Sequence, residues 1–448
     1  MPPLASSRSE PLSGTIRVPG DKSISHRALI LGALAVGETQ VDGLLEGDDV
    51  LATAAALRQL GADIERQDRT PSEPRWLITG CGVGGLSEPG TAIDMGNSGT
   101  GARLLMGVVA THPFLTIFTG DPSLSARPMA RVADPLRKMG AKITSRAGCR
   151  LPVAISGTAQ PLPVSWQPSV PSAQVKSAIL LAGLNTPGTT RVIEAARTRD
   201  HTERLLTHFG AHVSTKTTIG GLTEVSVEGY PELEARPVIV PGDVSSAAFP
   251  LVGALIANES NIVIENIGVN PLRVGLIETL VEMGADIQYR NERVSGGEPV
   301  ADISVRAGPL RGVEVPASRA PSMIDEYPIL AVAAAFAEGP TIMRGLAELR
   351  VKESDRLASV AEGLEASGVR VETGPDTLTV HGTGGRRPLG GETIRTHMDH
   401  RIAMSFMILG LISEKPIRID DGTMIGTSFP GFVELMNGMG ASIEADVP

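Results

Sequence analysis

Leu57 to Ile64 reads LRQLGADI, and the phrase returns as LRKMGAKI (136–143), LTHFGAHV (206–213), LVEMGADI (280–287), LEASGVRV (364–371) and MNGMGASI (436–443). Each copy ends an amphipathic run, places a glycine, and starts a short strand-like segment. The glycines Gly61, Gly140, Gly210, Gly284, Gly368 and Gly440 are 79, 70, 74, 84 and 72 residues apart. A near-constant spacing of this kind means one supersecondary unit used repeatedly. The glycine closes a helix, because without a Cβ it adopts the left-handed conformation that ends a helix C-terminus.

A second phrase runs in step with the first. A polar residue (Asp21, Asn97, Ser172, Asp243, Asp325, Asp399) precedes an apolar stretch such as RALILGALA, ARLLMGVVA, AILLAGL, AAFPLVGALIA, YPILAVAAAFA or RIAMSFMILGLI. Asp, Asn and Ser accept the orphan N–H groups of a first helical turn, so these residues are expected N-caps. A helix apolar all round is a buried one. TQVDG (39–43), TRVIEA (190–195) and NIVIEN (261–266) read as strands that follow such helices. The unit is therefore buried helix, strand, loop, amphipathic helix, glycine, strand, which places the chain in the α/β class.

RVPGDKS (17–23) and IVPGDVSS (239–246) are near-copies separated by three units. Each sets a Pro-Gly turn before a capped helix. The domain boundaries are expected there: one domain at 20–240, the other formed by 1–19 with 241–448, with crossovers near 18–21 and 239–243. The strand Gly14–Val18 is expected to complete the second of these.

Composition narrows the function. The formal charge of -10 argues against a nucleic-acid backbone as partner. The aromatics, 2 Trp, 3 Tyr and 8 Phe, are too few for base-stacking platforms. Cys81 and Cys149, the only cysteines, suit a reducing compartment and exclude a cysteine-rich zinc site. The apolar stretches near 329–337 and 402–412 are shorter than the roughly 18 residues of a membrane span. The start, MPPLASSRSEPLSG, lacks a signal-peptide apolar core. A cytoplasmic protein is expected, with no membrane partner.

Within this acidic chain, cations gather at the helix starts. Lys22 and Arg27 flank the first buried helix, Arg103 lies in the second, Arg127 falls in SARPMA, and Arg199 in TRDHTE. Lys352 and Arg356, four apart in KESDR, are expected on one helix face, and Arg401 follows Asp399. Helix N-termini and such cations together favour a small anion, most naturally phosphate or carboxylate. Two carboxylates stand among them. Asp325, at an expected helix start, reads either as a plain N-cap or as a base for an alcohol proton. Glu353 reads either as a surface ion pair or as a proton-handling group. GNSGTGA (96–102) is a glycine loop without the endings of a P-loop or a dinucleotide fingerprint.

VPGDKSISHRALILGALA, GNSGTGARLL, GDPSLSARPM, SAQVKSAILLAGL, TRDHTE, SMIDEYPILAVAAA, RVKESDRL and THMDHRIAMSF together resemble the 5-enolpyruvylshikimate-3-phosphate synthase family, from about Leu12 to Ile443. The resemblance implies a two-domain inside-out α/β barrel of six βαβαββ-type repeats, three per domain. It implies transfer of the enolpyruvyl group of phosphoenolpyruvate to the 5-hydroxyl of shikimate 3-phosphate, by addition to a tetrahedral intermediate and elimination of phosphate. It further implies a monomer with no cofactor and no metal. By the same resemblance Asp325, Glu353 and Lys22 are catalytic. Shikimate 3-phosphate is assigned to Lys22, Ser23, Arg27, Ser172, Ala173, Gln174, Arg199, Asp325 and Lys352. Phosphoenolpyruvate is assigned to Lys22, Gly99, Arg127, Gln174, Lys352, Arg356 and Arg401.

The chain departs from the family pattern at IGTSFP, where Thr427 stands in place of a phosphate-binding lysine that many relatives carry. Two alternative readings fit the sequence less well. The related transferase that acts on a UDP-aminosugar uses a cysteine on the loop corresponding to 123–129, and none is present here. A non-catalytic anion binder would have no use for the pair Asp325 and Glu353.

Overall fold

The computed structural model describes residues 3–68 and 74–446 of the chain. These divide into two compact units. One comprises residues up to Pro19, Gly242–Arg293 and residues from Pro299 onward; the other comprises Gly20–Pro241 with Val294–Glu298. Each has its own apolar core.

The described residues form six four-stranded sheets, each built on one pattern. In one, Ile93–Asp94 lies parallel to Leu115–Thr119, which pairs antiparallel with Arg150–Ser156, the partner of Lys142–Arg146. A buried helix, Gly99–Val109, links the parallel strands, and the amphipathic helix Ala130–Lys138 leads into the hairpin. The six buried helices are Lys22–Leu34, Gly99–Val109, Ala173–Leu184, Val244–Ile256, Tyr327–Phe336 and His400–Gly410. Their apolar residues are almost wholly covered, as an all-round apolar sequence requires. All six repeat glycines take positive φ, from +81° at Gly368 to +112° at Gly440, immediately after a helix C-cap.

Four of the six expected N-caps hold. Asp21, Ser172, Asp243 and Asp399 each accept a backbone N–H of the first turn. Two are corrected. Ser98, not Asn97, caps the second buried helix, and the Asn97 amide instead serves its neighbours' side chains. Asp325 is not the N-cap residue of the buried helix: a short helix, Ala320–Met323, precedes it, and the buried helix begins two residues later at Tyr327 with Glu326 at the cap position.

The two copies of the Pro-Gly turn mark an exchange of strands. Ser13–Ile16, just before the first copy, pairs in parallel with Asn261–Ile264 of the fourth repeat. Val238–Ile239, just before the second, pairs in parallel with Val41–Asp42 of the first. The first and fourth repeats thus each receive their leading strand from the segment before the other copy of the turn. The N-terminal segment also contributes an earlier strand, Leu4–Ser7, inserted between Ile417–Ile419 and Ser442–Ala445 in the sixth sheet.

Candidate active site

In the unit that contains the C-terminal half, the chemistry gathers on Arg356. This residue opens the helix Arg356–Ala366, and its side chain is only 1% exposed. Its Nε donates to Asp399 Oδ2 at 2.8 Å, Nη1 to Asp325 Oδ1 at 3.1 Å, and Nη2 to Glu353 Oε2. Burial alone would weaken the charged guanidinium. Glu353, Asp399 and Asp325 outweigh that cost and hold its pKa above the ordinary arginine range. Asp399 is buried as well, which disfavours its charge, but Arg356 and His400 keep its carboxyl below the usual range.

Lys352 Nζ reaches the same Asp325 Oδ1 at 3.1 Å. The expected shared helix face of Lys352 and Arg356 is corrected: Lys352 ends the 3-10 turn Ala347–Val351, and the helix begins at Arg356 behind the cap Asp355. The two cations converge through a loop rather than through helical spacing. Arg401 donates from Nη1 to the Asp325 carbonyl at 3.2 Å and lies 3.7 Å from Glu326 Oε1. Asp325, Lys352, Glu353, Arg356 and Arg401 therefore form one cluster, organised by Asp399. Asp399, expected from sequence only as a cap, does cap, through Arg401 N at 2.9 Å, and it also fixes Arg356. Thr427 lies in the turn Thr423–Thr427, where its hydroxyl donates to Met424 O at 2.7 Å.

The other unit carries the remaining candidates, most of them at four helix starts. Lys22 opens the first buried helix and pairs with Asp49 Oδ2 at 3.1 Å. No motif had pointed to Asp49, which lies 27 residues away in sequence. Ser23 offers its carbonyl to Arg27 Nη1 at 2.8 Å. Arg27 is 3% exposed. Burial pushes its pKa down to about 10, Arg199 adds to that as a like charge, and Glu203 and Asp21 oppose it. Ser172 caps the helix that Ala173 begins, and Gln174 Nε2 donates to Thr100 Oγ1 at 2.9 Å. Arg199 directly precedes Asp200 and the helix His201–His208.

Gly99 is the first residue of the second buried helix, and a Cβ built there would stand 2.9 Å from Arg103 Nη1 and 3.2 Å from Arg127 Nη1. Arg127 is aimed by Asn97 Oδ1 at 2.9 Å and Ser123 Oγ at 3.1 Å. Asn97 is in turn oriented by Asp121 Oδ2 at 2.7 Å. Each unit therefore presents fixed guanidinium and ammonium groups beside capped helix N-termini, an arrangement suited to phosphate and carboxylate. Among the described residues no group of three or more His, Cys, Asp or Glu side chains is arranged to hold a metal ion.

Residues 7–436 match the family model described as EPSP synthase (3-phosphoshikimate 1-carboxyvinyltransferase). The chain is 63% identical over 446 residues to the 3-phosphoshikimate 1-carboxyvinyltransferase of Paramagnetospirillum magneticum, covering 100% of this chain and 99% of the relative. It is 61% identical over 441 residues to the protein of the same name from Rhodospirillum rubrum, with 98% of each covered. Among solved structures it is similar to EPSP synthase from Acinetobacter baumannii, with a TM-score of 0.88, 44% identity and 99% of each chain covered. The enolpyruvyl transferase NikO from Streptomyces tendae shares the fold at a TM-score of 0.76 and 19% identity, over 99% of this chain and 98% of that one.

Proposed function

Because the chain belongs to the 5-enolpyruvylshikimate-3-phosphate synthase family, we infer from its own geometry which residues carry that family's reaction. The enzyme transfers the enolpyruvyl group of phosphoenolpyruvate to the 5-hydroxyl of shikimate 3-phosphate and releases phosphate. Its substrates are small molecules that each carry phosphate and carboxylate.

The observation that carries the assignment of roles is the single carboxylate oxygen, Asp325 Oδ1, held at 3.1 Å by both Lys352 and Arg356. A side chain fixed by two cations in a site built for anions meets the positional demand on a general base. Asp325 accepts the 5-hydroxyl proton as that oxygen attacks C2 of phosphoenolpyruvate. Glu353, anchored on Arg356, delivers a proton to the methylene carbon, and the tetrahedral ketal-phosphate results. In the second step the C–O bond to phosphate breaks, the proton held by Asp325 leaves with the phosphate, and a methyl proton returns to Glu353, restoring the enol ether, while Lys22 stays an ammonium that neutralises the developing charge. Arg127, Lys352, Arg356 and Arg401, with Lys22 and Gln174, hold the phosphoenolpyruvate charges. Backbone at Gly99 admits that substrate's close approach. Ser23, Arg27, Ser172, Ala173, Gln174 and Arg199 hold shikimate 3-phosphate. Fixed charge stabilises the transition state without reorganisation at the moment of reaction.

The test is release of inorganic phosphate from shikimate 3-phosphate plus phosphoenolpyruvate. Release that requires both substrates supports the reading, and none at saturating concentrations overturns it. The enzyme is further proposed to be cytoplasmic and monomeric. Its two separate thiols support the first, and among the described residues no helix is long and apolar enough to cross a membrane. Analytical ultracentrifugation tests the second.

A further inference from the structure

Three elements assigned above to shikimate 3-phosphate are joined beneath the surface by polar side chains, of which only Arg27 has a role in the reading above. The helix Lys22–Leu34 carries Arg27. The helix Ala173–Leu184, capped by Ser172, carries Lys176 and Ser177. The helix His201–His208, which follows Arg199, carries Thr202 and Glu203. All five of these side chains are buried.

Lys176 stands at the centre with its side chain 1% exposed. Its ammonium donates to Glu194 Oε2 at 3.0 Å, to the Thr198 carbonyl at 3.2 Å, and lies 2.7 Å from Glu203 Oε1. An ammonium has three donors, and here each has an acceptor on a different part of the chain. Glu194 ends the strand Thr189–Glu194 and also accepts from the Thr198 hydroxyl. Both ends of the segment leading to Arg199 are thereby tied to one cation. The next residue on each helix continues the link. Ser177 and Thr202 hydroxyls meet at 2.6 Å, and Arg27 donates to Thr202 Oγ1 at 2.6 Å and to Ser177 Oγ at 2.7 Å. Two buried cations, Lys176 and Arg27, are thus matched by two buried carboxylates, Glu194 and Glu203.

Burying such a network is not an efficient way to stabilise a fold, since well-packed apolar residues of the same volume often do as well or better. What the network does supply is fixed geometry. We propose that Lys176 is a positioning residue: it locks the Thr198–Arg199 segment against the helix starts at Ser23 and Ser172, and so sets the grip on shikimate 3-phosphate. This rests on the substrate assignment above. Arg199 lies one residue from the carbonyl that Lys176 holds. Glu203 has a second oxygen buried without a hydrogen-bond partner, so it depends on Lys176 for its compensation. Burial already pushes its carboxyl up, and Lys176 is the main opposing influence.

The experiment compares steady-state kinetics and thermal melting of the full-length wild type with Lys176→Met, Lys176→Arg and the charge-free triple variant Lys176→Met/Glu194→Gln/Glu203→Gln. Displacing binding groups by a fraction of their contact distance costs up to about a hundredfold, so Lys176→Met should raise KM for shikimate 3-phosphate by about ten- to a hundredfold. KM for phosphoenolpyruvate should move several-fold less, because Arg127, Lys352, Arg356 and Arg401 lie outside the network and only Lys22 and Gln174 stand on its helices. Lys176→Arg, which keeps the charge and the donors, should recover part of the loss. In the triple variant the melting temperature should return toward wild type while KM for shikimate 3-phosphate stays high. That separation is one a purely structural role would not produce. If Lys176→Met does not fold, the triple variant carries the test alone. A triple variant with wild-type KM for shikimate 3-phosphate overturns the proposal, as does a Lys176→Met that raises both KM values together. Absence of turnover in the wild type would overturn the functional reading instead, so the two failures are distinct.

Discussion

Arg356 shows how a residue's environment decides its use. A guanidinium in water is an ordinary surface cation, but this one is 1% exposed and met by three carboxylates. One of them, Asp325, is read in sequence as a helix cap or a base, and the structure removes the first option because the helix starts two residues later. Asp325→Ala should therefore lower kcat by about 100- to 10,000-fold, with substrate binding much less affected. Rapid-quench or steady-state kinetics at saturating substrates checks this; near-normal turnover would remove Asp325 from the mechanism. Gly99 is a residue-scale case of a different kind. The methyl of Gly99→Ala would meet the ends of two long side chains, Arg103 and Arg127, rather than backbone. The fold should tolerate it, with the strain placed first on Arg103 and then on Arg127, and crowding of this sort typically costs about 1–3 kcal/mol. We propose glyphosate as an anionic inhibitor that takes the phosphoenolpyruvate position; being longer than that substrate, it should lose more affinity than phosphoenolpyruvate does. Comparing the inhibition constant with KM in both forms measures the difference, and equal weakening would refute it.

At the scale of elements, the first buried helix is bound to the helix Asp48–Gln59 through a polar contact in an apolar core. His26 Nδ1 lies 2.8 Å from Thr53 Oγ1. Burial lowers the His26 pKa from 6.5 to about 3, with Lys22 and Arg27 adding to the effect and Asp49 opposing it. The sign follows from linkage. The folded pKa is depressed, so between 6.5 and about 3 the unfolded chain binds the extra proton. The stabilising contribution is complete above 6.5 and is lost progressively as pH falls toward 3. His26→Gln keeps a polar partner for Thr53 and removes the titration. Denaturant titrations of both proteins should show a shallower loss of stability across that window in the variant, by up to a few kcal/mol at its acid end, on the order of what such a shift implies. Parallel curves would show that His26 does not titrate on unfolding.

For the molecule as a whole, the consequential feature is the strand exchange near the two Pro-Gly turns. It makes the N-terminal segment part of sheets whose other strands lie far along the chain. Leu4–Ser7 is an interior strand of its sheet: Leu4 pairs with Ile419 on one side and with Ala445 on the other. A deletion through Ser7 leaves two edge strands without a partner and exposes their ladder groups. Such a truncation should lower the melting temperature by about 10 °C or more, as loss of several kcal/mol implies for a unit of this size. Calorimetry decides it, and an unchanged transition would mean the strand contributes nothing to cooperativity.

The repeat was legible in the sequence because its signals are local. A glycine must take positive φ where a helix closes, an Asp or Ser must satisfy the first N–H groups, and an all-apolar run must be buried. Gly61, Gly140, Asp21 and Ser172 report those demands wherever they occur. Local signals misled where neighbours compete for one role. Ser98 took the cap from Asn97, and the break before Tyr327 freed Asp325 from capping. The leading segment carried no signal at all, since LASS is too short and mixed for any period to show, and its strand exists only because two distant strands need a partner. The site divides along the same line. Its cations were visible as a recurring type at recurring positions. Their partners, Asp49 on Lys22, Asp399 on Arg356 and Lys176 between Glu194 and Glu203, were not. A pairing energy depends on distance and burial, and for residues tens of positions apart those quantities are set only when the helices pack.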